Sequence, residues 1–219
     1  MTGMEQTLEQ SAVQRFYRYH AYIYDKTRWM ILHGRRRAAE RLGLRRDSSV
    51  LEVGCGTGLN FRYVLEHLDP QRGRLVGLDF SQDMLARAQH RVAARAAKRA
   101  DGLGWQNVEL LQADATQMQL GRKFDAILFA YSLTMIPDWE AALRRAGEHL
   151  APGGRVVVLD FSTFGGWGPL APVMRWWLRS NHVETTRPYV AGLRRVFPAL
   201  EVSERLGGYN FTAVGRRGD

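Results

Sequence analysis

The chain has 219 residues, 45% of them hydrophobic and 24% charged, with a single cysteine. This composition excludes a disordered chain, a disulfide framework and a multi-cysteine zinc site, and no uncharged apolar run of about 20 residues suggests a spanning helix. A surplus of nine positive charges favours an anionic partner: nucleic acid, a membrane face or an acidic protein.

The first ten residues, MTGMEQTLEQ, lack a basic stretch followed by an apolar one, so no secretory signal is read and a reducing cytoplasmic setting is expected. Residues 1–49 read as an N-terminal helical lid or acceptor segment. Within it Val13, Phe16, Tyr17, His20, Tyr24 and Ile31 fall at helical spacing, with Arg15, Arg18 and Arg28 interleaved. An aromatic, basic helix of this kind suits either a bilayer surface or a lid packed on a sheet edge. Residues 1–50 carry ten basic against five acidic residues, which concentrates the positive charge at this end.

From residue 50 to 219 short β-branched runs alternate with amphipathic stretches, which predicts one α/β domain. Val50–Val53 reads as a buried strand, followed by a helix bearing Phe61, Val64, Leu65 and Leu68 that stops near Pro70. Leu75–Phe80 is a second strand, and Ser81 can cap a long helix with Met84, Leu85, Ala88 and Val92 on its apolar face. Arg87, Arg91, Arg95 and Arg99 share another face of that helix. Such a stripe reads as a solvated outer surface, with phosphate contact as the functional alternative. Val108–Ala113 and Phe124–Ala130 are the third and fourth strands. A helix over Trp139–Leu150 is closed by Pro152-Gly153-Gly154, and Arg155–Phe161 follows as the fifth strand. Gly207-Gly208, between Leu200–Leu206 and Tyr209–Gly215, signals an antiparallel hairpin.

The segment Leu51-Glu52-Val53-Gly54-Cys55-Gly56-Thr57-Gly58 carries the chemistry. Glycines directly after a buried strand let backbone approach a ligand where a Cβ would clash, and the next helix offers unpaired N–H groups. The spacing is G-x-G-x-G and not the dinucleotide G-x-G-x-x-G. That difference fits a ligand without a pyrophosphate, with an amino-acid tail in the loop. Asp79 ends the second strand, where a carboxylate can accept from both ribose hydroxyls, and Asp114 follows the third, within reach of an adenine amino group. Glycine loop and strand-end acids together describe a nucleoside with an amino-acid tail. Cys55 reads as a small space-filler and not a nucleophile.

On these residues the sequence resembles the class I S-adenosylmethionine-dependent methyltransferases over roughly Val50 to Gly215. The resemblance implies a Rossmann-like, seven-stranded, mostly parallel sheet whose last strand is inserted antiparallel. It implies that Glu52, Gly54, Gly56 and Gly58 surround the methionine moiety, Asp79 the ribose and Asp114 the adenine. Phe80 and Met84 would flank the adenine ring, and Ala130 and Tyr131 would face the methyl donor. Tyr24, Arg28, Cys55, Asn60 and Ala115 complete the implied donor site. S-adenosyl-L-methionine would be converted to S-adenosyl-L-homocysteine, with no metal.

For the acceptor, Ala130-Tyr131-Ser132-Leu133 is not the Asn/Asp-Pro-Pro-aromatic motif used on nucleic-acid amines. The six histidines are scattered, without metal-ligand spacing. The string Tyr19-His20-Ala21-Tyr22-Ile23-Tyr24-Asp25-Lys26-Thr27-Arg28-Trp29, followed by His33-Gly34-Arg35, is similar to bacterial N-methyltransferases that make the trimethylated betaine lipid from diacylglyceryl-homoserine. Phosphatidylethanolamine N-methyltransferases are neighbouring relatives in this respect. Trp167, Trp176 and Trp177, with Arg175 and Arg179, read as an interfacial anchor or as an active-site cover. Tyr19, His20 and Tyr131 are the candidate proton acceptors. The expectation is therefore a lipid N-methyltransferase, peripheral on the inner membrane face. A phosphatidylethanolamine N-methyltransferase, or a quinone or small-molecule C-/O-methyltransferase, is the enzymatic alternative, and an RNA-binding protein, disfavoured here, the non-enzymatic one.

Overall fold

The computed structural model describes residues 32–96 and 104–218. Tyr19, His20, Tyr24, Arg28 and Arg99 lie outside the described residues. The chain enters through α1 (Arg35–Arg41), β1 (Ser49–Val53), α2 (Phe61–Leu65), β2 (Arg74–Asp79) and α3 (Gln82–Ala96). β3 (Val108–Gln112), β4 (Phe124–Ala130), α4 (Trp139–His149) and β5 (Leu150–Phe161) follow. α5 (Leu170–Ser180), α6 (Tyr189–Val196), β6 (Leu200–Arg205) and β7 (Asn210–Arg216) complete it. The seven strands lie in the order β3-β2-β1-β4-β5-β7-β6. β1 to β5 pair in parallel, and β7 is antiparallel to both β5 and β6.

Side-chain alternation along the strands makes two cores. Val50, Leu75, Leu128, Val157 and Leu159 face one side, with Ala38 and Ala39 of α1, Phe61 of α2, Leu85 and Ala88 of α3 and Leu178 of α5. Leu51, Val76, Ile127, Phe129, Val156 and Val158 face the other, against Ala142, Leu143 and Ala146 of α4 and Leu193 of α6. Each fully buried Leu, Val or Phe contributes about 1.5–3 kcal/mol, so burial on both faces explains the near-continuous apolar runs.

Two elements depart from their predicted limits. α2 stops after five residues, and the Asn60 side chain at its start is bonded to Glu52 and does not cap it. Tighter turns, His67 N–H to Val64 O and Leu68 N–H to Leu65 O, carry the chain on. Leu150, expected at the end of a helix, opens β5 opposite Phe124. The next pair in that ladder is Ala126 with Arg155, so 151–154 loop out at Pro152-Gly153-Gly154.

The sheet reverses its strand order between β1 and β4, with β2 on one side and β5 on the other. Loops at the carboxyl ends of such strands diverge and leave a crevice, the place where open α/β sheets take their ligands.

Candidate active site

β1 delivers Glu52 and the glycine loop to that crevice. The N–H groups of Gly54 and Cys55 both donate to Leu78 O, at 2.8 and 3.0 Å, which ties the loop to β2. Gly54 has φ +68°, and a Cβ there would lie 2.5 Å from the Ser132 Cβ. Glycine therefore lets the loops after β1 and β4 touch, and Ser132 closes the contact by donating from Oγ to Val53 O at 2.7 Å. Gly56 differs. Its φ is +55°, yet a Cβ would meet nothing within 4 Å. Its backbone borders open space, as a cradle for a ligand requires.

Asp79 holds the cradle in shape. Its carboxylate accepts from Gly56 N–H at 2.7 Å and Ser81 N–H at 2.9 Å. Burial raises its pKa, and the backbone hydrogen bonds oppose that rise. An ionised carboxylate has about four acceptor positions, so room remains for hydroxyl donors. Asp114 is turned locally: one oxygen, Oδ1, accepts from Thr116 N–H at 2.8 Å and Thr116 Oγ1 at 2.7 Å. Phe80 is 37% exposed beside Asp79, while Met84, Ala115 and Ala130 are buried. Arg91 of α3 donates to Thr57 O at 2.8 Å, so one member of the predicted solvated stripe instead braces the glycine loop.

Glu52 is wholly buried. Asn60 Nδ2 donates to its Oε1 at 2.6 Å, while Glu52 Oε2 and Asn60 Oδ1 have no hydrogen-bond partner. Loss of hydration pushes the Glu52 carboxyl up to about 8, with Asn60 and the positive charge of Arg35 pulling it down. Two buried oxygens without partners leave an unmet demand worth about 1–3 kcal/mol each. A ligand ammonium would meet it. Cys55 is buried beside them, its thiol pushed well above its usual range by burial and by Asp79 and Glu52. That suits packing and not nucleophilic chemistry.

On the far side of the crevice, Tyr131 follows β4 in the left-handed region at φ +58°, its N–H bound to Leu159 O at 2.7 Å. Its hydroxyl donates to His33 O at 2.6 Å and accepts from Asn210 Nδ2 at 3.0 Å. Burial raises its pKa. Its ring lies 4.9 Å from Phe161, which lies 5.6 Å from Tyr209, and Tyr209 stacks on Trp167 at 5.8 Å. An aromatic wall therefore runs from the end of β4 to the turn before α5.

Arg35, Ser132, Asn210 and Asp160 were not singled out from sequence. Asp160 accepts from Thr134 Oγ1 at 2.6 Å, Thr134 N–H at 3.1 Å and Phe161 N–H at 2.8 Å, and burial pushes it up to about 6. It fixes the loop that carries Tyr131 and Ser132. An acid near a strand end was a readable signal, as it was for Asp79. Among the described residues, no three or more His, Cys, Asp or Glu are grouped so as to hold a metal ion.

Residues 51–156 match the methyltransferase domain family. The match covers just under half of the chain. The chain is 30% identical over 142 residues to demethylmenaquinone methyltransferase of Staphylococcus aureus, an alignment covering 64% of this chain and 52% of that protein. It thus spans about half the length of the curated relatives it matches. Haemonchus contortus phosphoethanolamine N-methyltransferase 2, solved with S-adenosyl-L-methionine, superposes at a TM-score of 0.69 and 16% identity, over 84% of this chain and 52% of that one. A SAM-dependent methyltransferase from Aquifex aeolicus gives 0.64 and 18%, over 87% and 92% of the two chains. At such identities the two structures speak to the fold alone.

Proposed function

We propose that the chain is an S-adenosylmethionine-dependent N-methyltransferase acting on a lipid headgroup amine, with diacylglyceryl-homoserine as acceptor and its trimethylated betaine lipid as product. The donor half of this reading is carried by one observation: a fully buried Glu52–Asn60 pair with two partnerless acceptor atoms, beside a glycine whose absent side chain borders open space. The residues fit the donor. Glu52 and Asn60 would hold its ammonium, the Gly54–Gly58 loop its tail, Asp79 its ribose hydroxyls, and Asp114 with Phe80 its base.

Bound there, S-adenosylmethionine supplies a methyl group on a sulfonium, already activated toward a nucleophile. What falls to the chain is alignment of the amine and exclusion of water, which together supply most of the rate gain. Tyr131, with its hydroxyl committed to His33 O and Asn210, serves in this reading as a wall and not as the proton acceptor. The aromatic run Tyr131, Phe161, Tyr209 and Trp167 suits an acceptor that grows with each methyl and ends as a fixed quaternary cation, through cation–π attraction. His20 and Tyr19 stay as proton-acceptor candidates on the strength of the sequence.

Similarity to a demethylmenaquinone methyltransferase supports a second reading, C-methylation of a lipid quinone. Incubation with methyl-labelled donor and a total lipid extract separates the two. Label in an amine-bearing polar lipid supports the first, and label in the quinone fraction the second. Label only in water-soluble products or RNA contradicts both.

A further inference from the structure

α5 carries two apolar stripes. Ala171 and Leu178 are buried against the sheet, whereas Leu170, Val173, Trp176 and Trp177 are exposed at 63, 62, 70 and 43%. The exposed four recur at helical spacing and so form a separate face. Beside this helix, the tip of the β6–β7 hairpin exposes Leu206 at 65%. The turn that leads into α5 is hydrogen-bonded to this tip. Trp167 Nε1 donates to Leu206 O at 2.8 Å, Gly166 N–H to Gly207 O at 2.9 Å and Phe164 N–H to Gly208 O at 2.7 Å. Residues 161–183 and 205–210 contain Arg175, Arg179 and Arg205 and no acidic residue. Two acidic residues lie just beyond: Glu184 pairs with Arg179 at 3.3 Å, and Glu204 accepts from Ser162 Oγ at 2.6 Å.

We propose that the exposed face of α5 and the hairpin tip form one docking platform that inserts into the interfacial region of an anionic lipid bilayer. Exposed tryptophans and leucines beside Arg175 and Arg205, with the acidic Glu184 and Glu204 only at the edges of the two segments, are complementary to a headgroup layer that is apolar beneath and negative above. A protein partner would more often meet a mixed-charge rim. No described helix is long and apolar enough to cross a membrane; the platform as proposed inserts only side chains. Trp167 stacks on Tyr209 and thereby links the platform to the aromatic wall, which places the bilayer surface beside the acceptor side of the crevice. The proposal rests on the lipid-amine reading above, and names the surface from which that lipid is taken.

The test is co-sedimentation with phosphatidylglycerol vesicles and with phosphatidylcholine vesicles, for the full chain and for Trp176→Ser combined with Leu206→Ser. Both side chains point outward, so the variant should keep its donor affinity within about 2-fold and lose about 10-fold or more in partitioning to the anionic vesicles. Trp176→Phe should retain most of the binding. The platform is overturned if the wild type ignores anionic vesicles, if the double variant binds them undiminished, or if donor affinity falls in parallel. Dissolution of a wild-type dimer by the same substitutions, without vesicle binding, would assign the face to a second copy and overturn it too. Labelling of a lipid amine in detergent micelles without vesicle binding defeats the platform and keeps the lipid-amine reading. Vesicle binding without any lipid labelling does the reverse.

Discussion

The two sides of the crevice are built on opposite principles. At the ends of β1 and β2 lie buried polar atoms that the protein leaves unmet, Glu52 Oε2 and Asn60 Oδ1, in the same loop region as Gly56, whose backbone borders open space. At the ends of β4, β5 and the start of β7 the polar atoms are spent internally, Tyr131 on His33 and Asn210, Asp160 on Thr134, and the side chains packed around them are aromatic. The difference teaches which side reads its ligand by hydrogen bonds and which by shape and ring faces. A polar ligand binding on the first side recovers desolvation already spent in folding; the second side can tolerate a changing headgroup.

The sharpest way to break this comparison uses two glycines of one loop. Gly54→Ala forces a Cβ to 2.5 Å from Ser132 at φ +68°, which should cost about 2–4 kcal/mol of stability through overpacking and left-handed strain. Gly56→Ala meets no atom and should cost only about 1 kcal/mol, yet weaken donor binding by about 10-fold or more. Chemical denaturation beside calorimetry checks the pair; equal effects on stability and binding from both would deny the loop its cradle. Next in size, Asp79→Ala should lower donor affinity about 100-fold, since a multiply hydrogen-bonded charged acceptor is worth about 1.5–3 kcal/mol. Unchanged affinity would remove Asp79 from the ribose.

A pH effect follows from Glu52. Its carboxyl moves from 4.5 to about 8 on folding, so between those values the folded chain holds a proton that the unfolded chain has released. Stability without donor should therefore be fullest below about pH 4.5 and fall as pH rises toward 8, by up to about 1.4 kcal/mol per pH unit. Asp160, pushed up to about 6, adds to the same trend at its lower end. Glu52→Gln should flatten the upper part, as read from denaturation midpoints across that range, and an unaltered slope would show that Glu52 is ionised throughout. The smallest effect belongs to the aromatic side. Tyr131→Phe should lose about 1 kcal/mol of stability and leave kcat within a few-fold; a fall of 100-fold or more would restore Tyr131 as a proton acceptor.

The five parallel strands and the hairpin were legible because burial on both faces writes β-branched runs, and Gly207-Gly208 marks the turn. α5 was not legible as a helix. Gly165, Gly166, Gly168, Pro169 and Pro172 argue for a broken segment, but Pro172 falls in the first turn, where a helix N–H has no partner to lose. Glu52, Asp79 and the glycines could be read because they follow strand ends in order. Across the crevice Tyr131 could be named from sequence, but its hydrogen-bond partners could not. Tyr131 meets His33 across 98 residues and Asn210 across 79, contacts that only the inserted antiparallel strand and the entry to α1 bring together.

The most direct test of the account is methylation of purified diacylglyceryl-homoserine in mixed micelles, followed by mass spectrometry of the lipid. The account predicts successive single-methyl increments on the headgroup amine, abolished by Asp79→Ala and ending at the trimethylated product. An unmodified lipid, under conditions where the chain still binds S-adenosylmethionine, would contradict it.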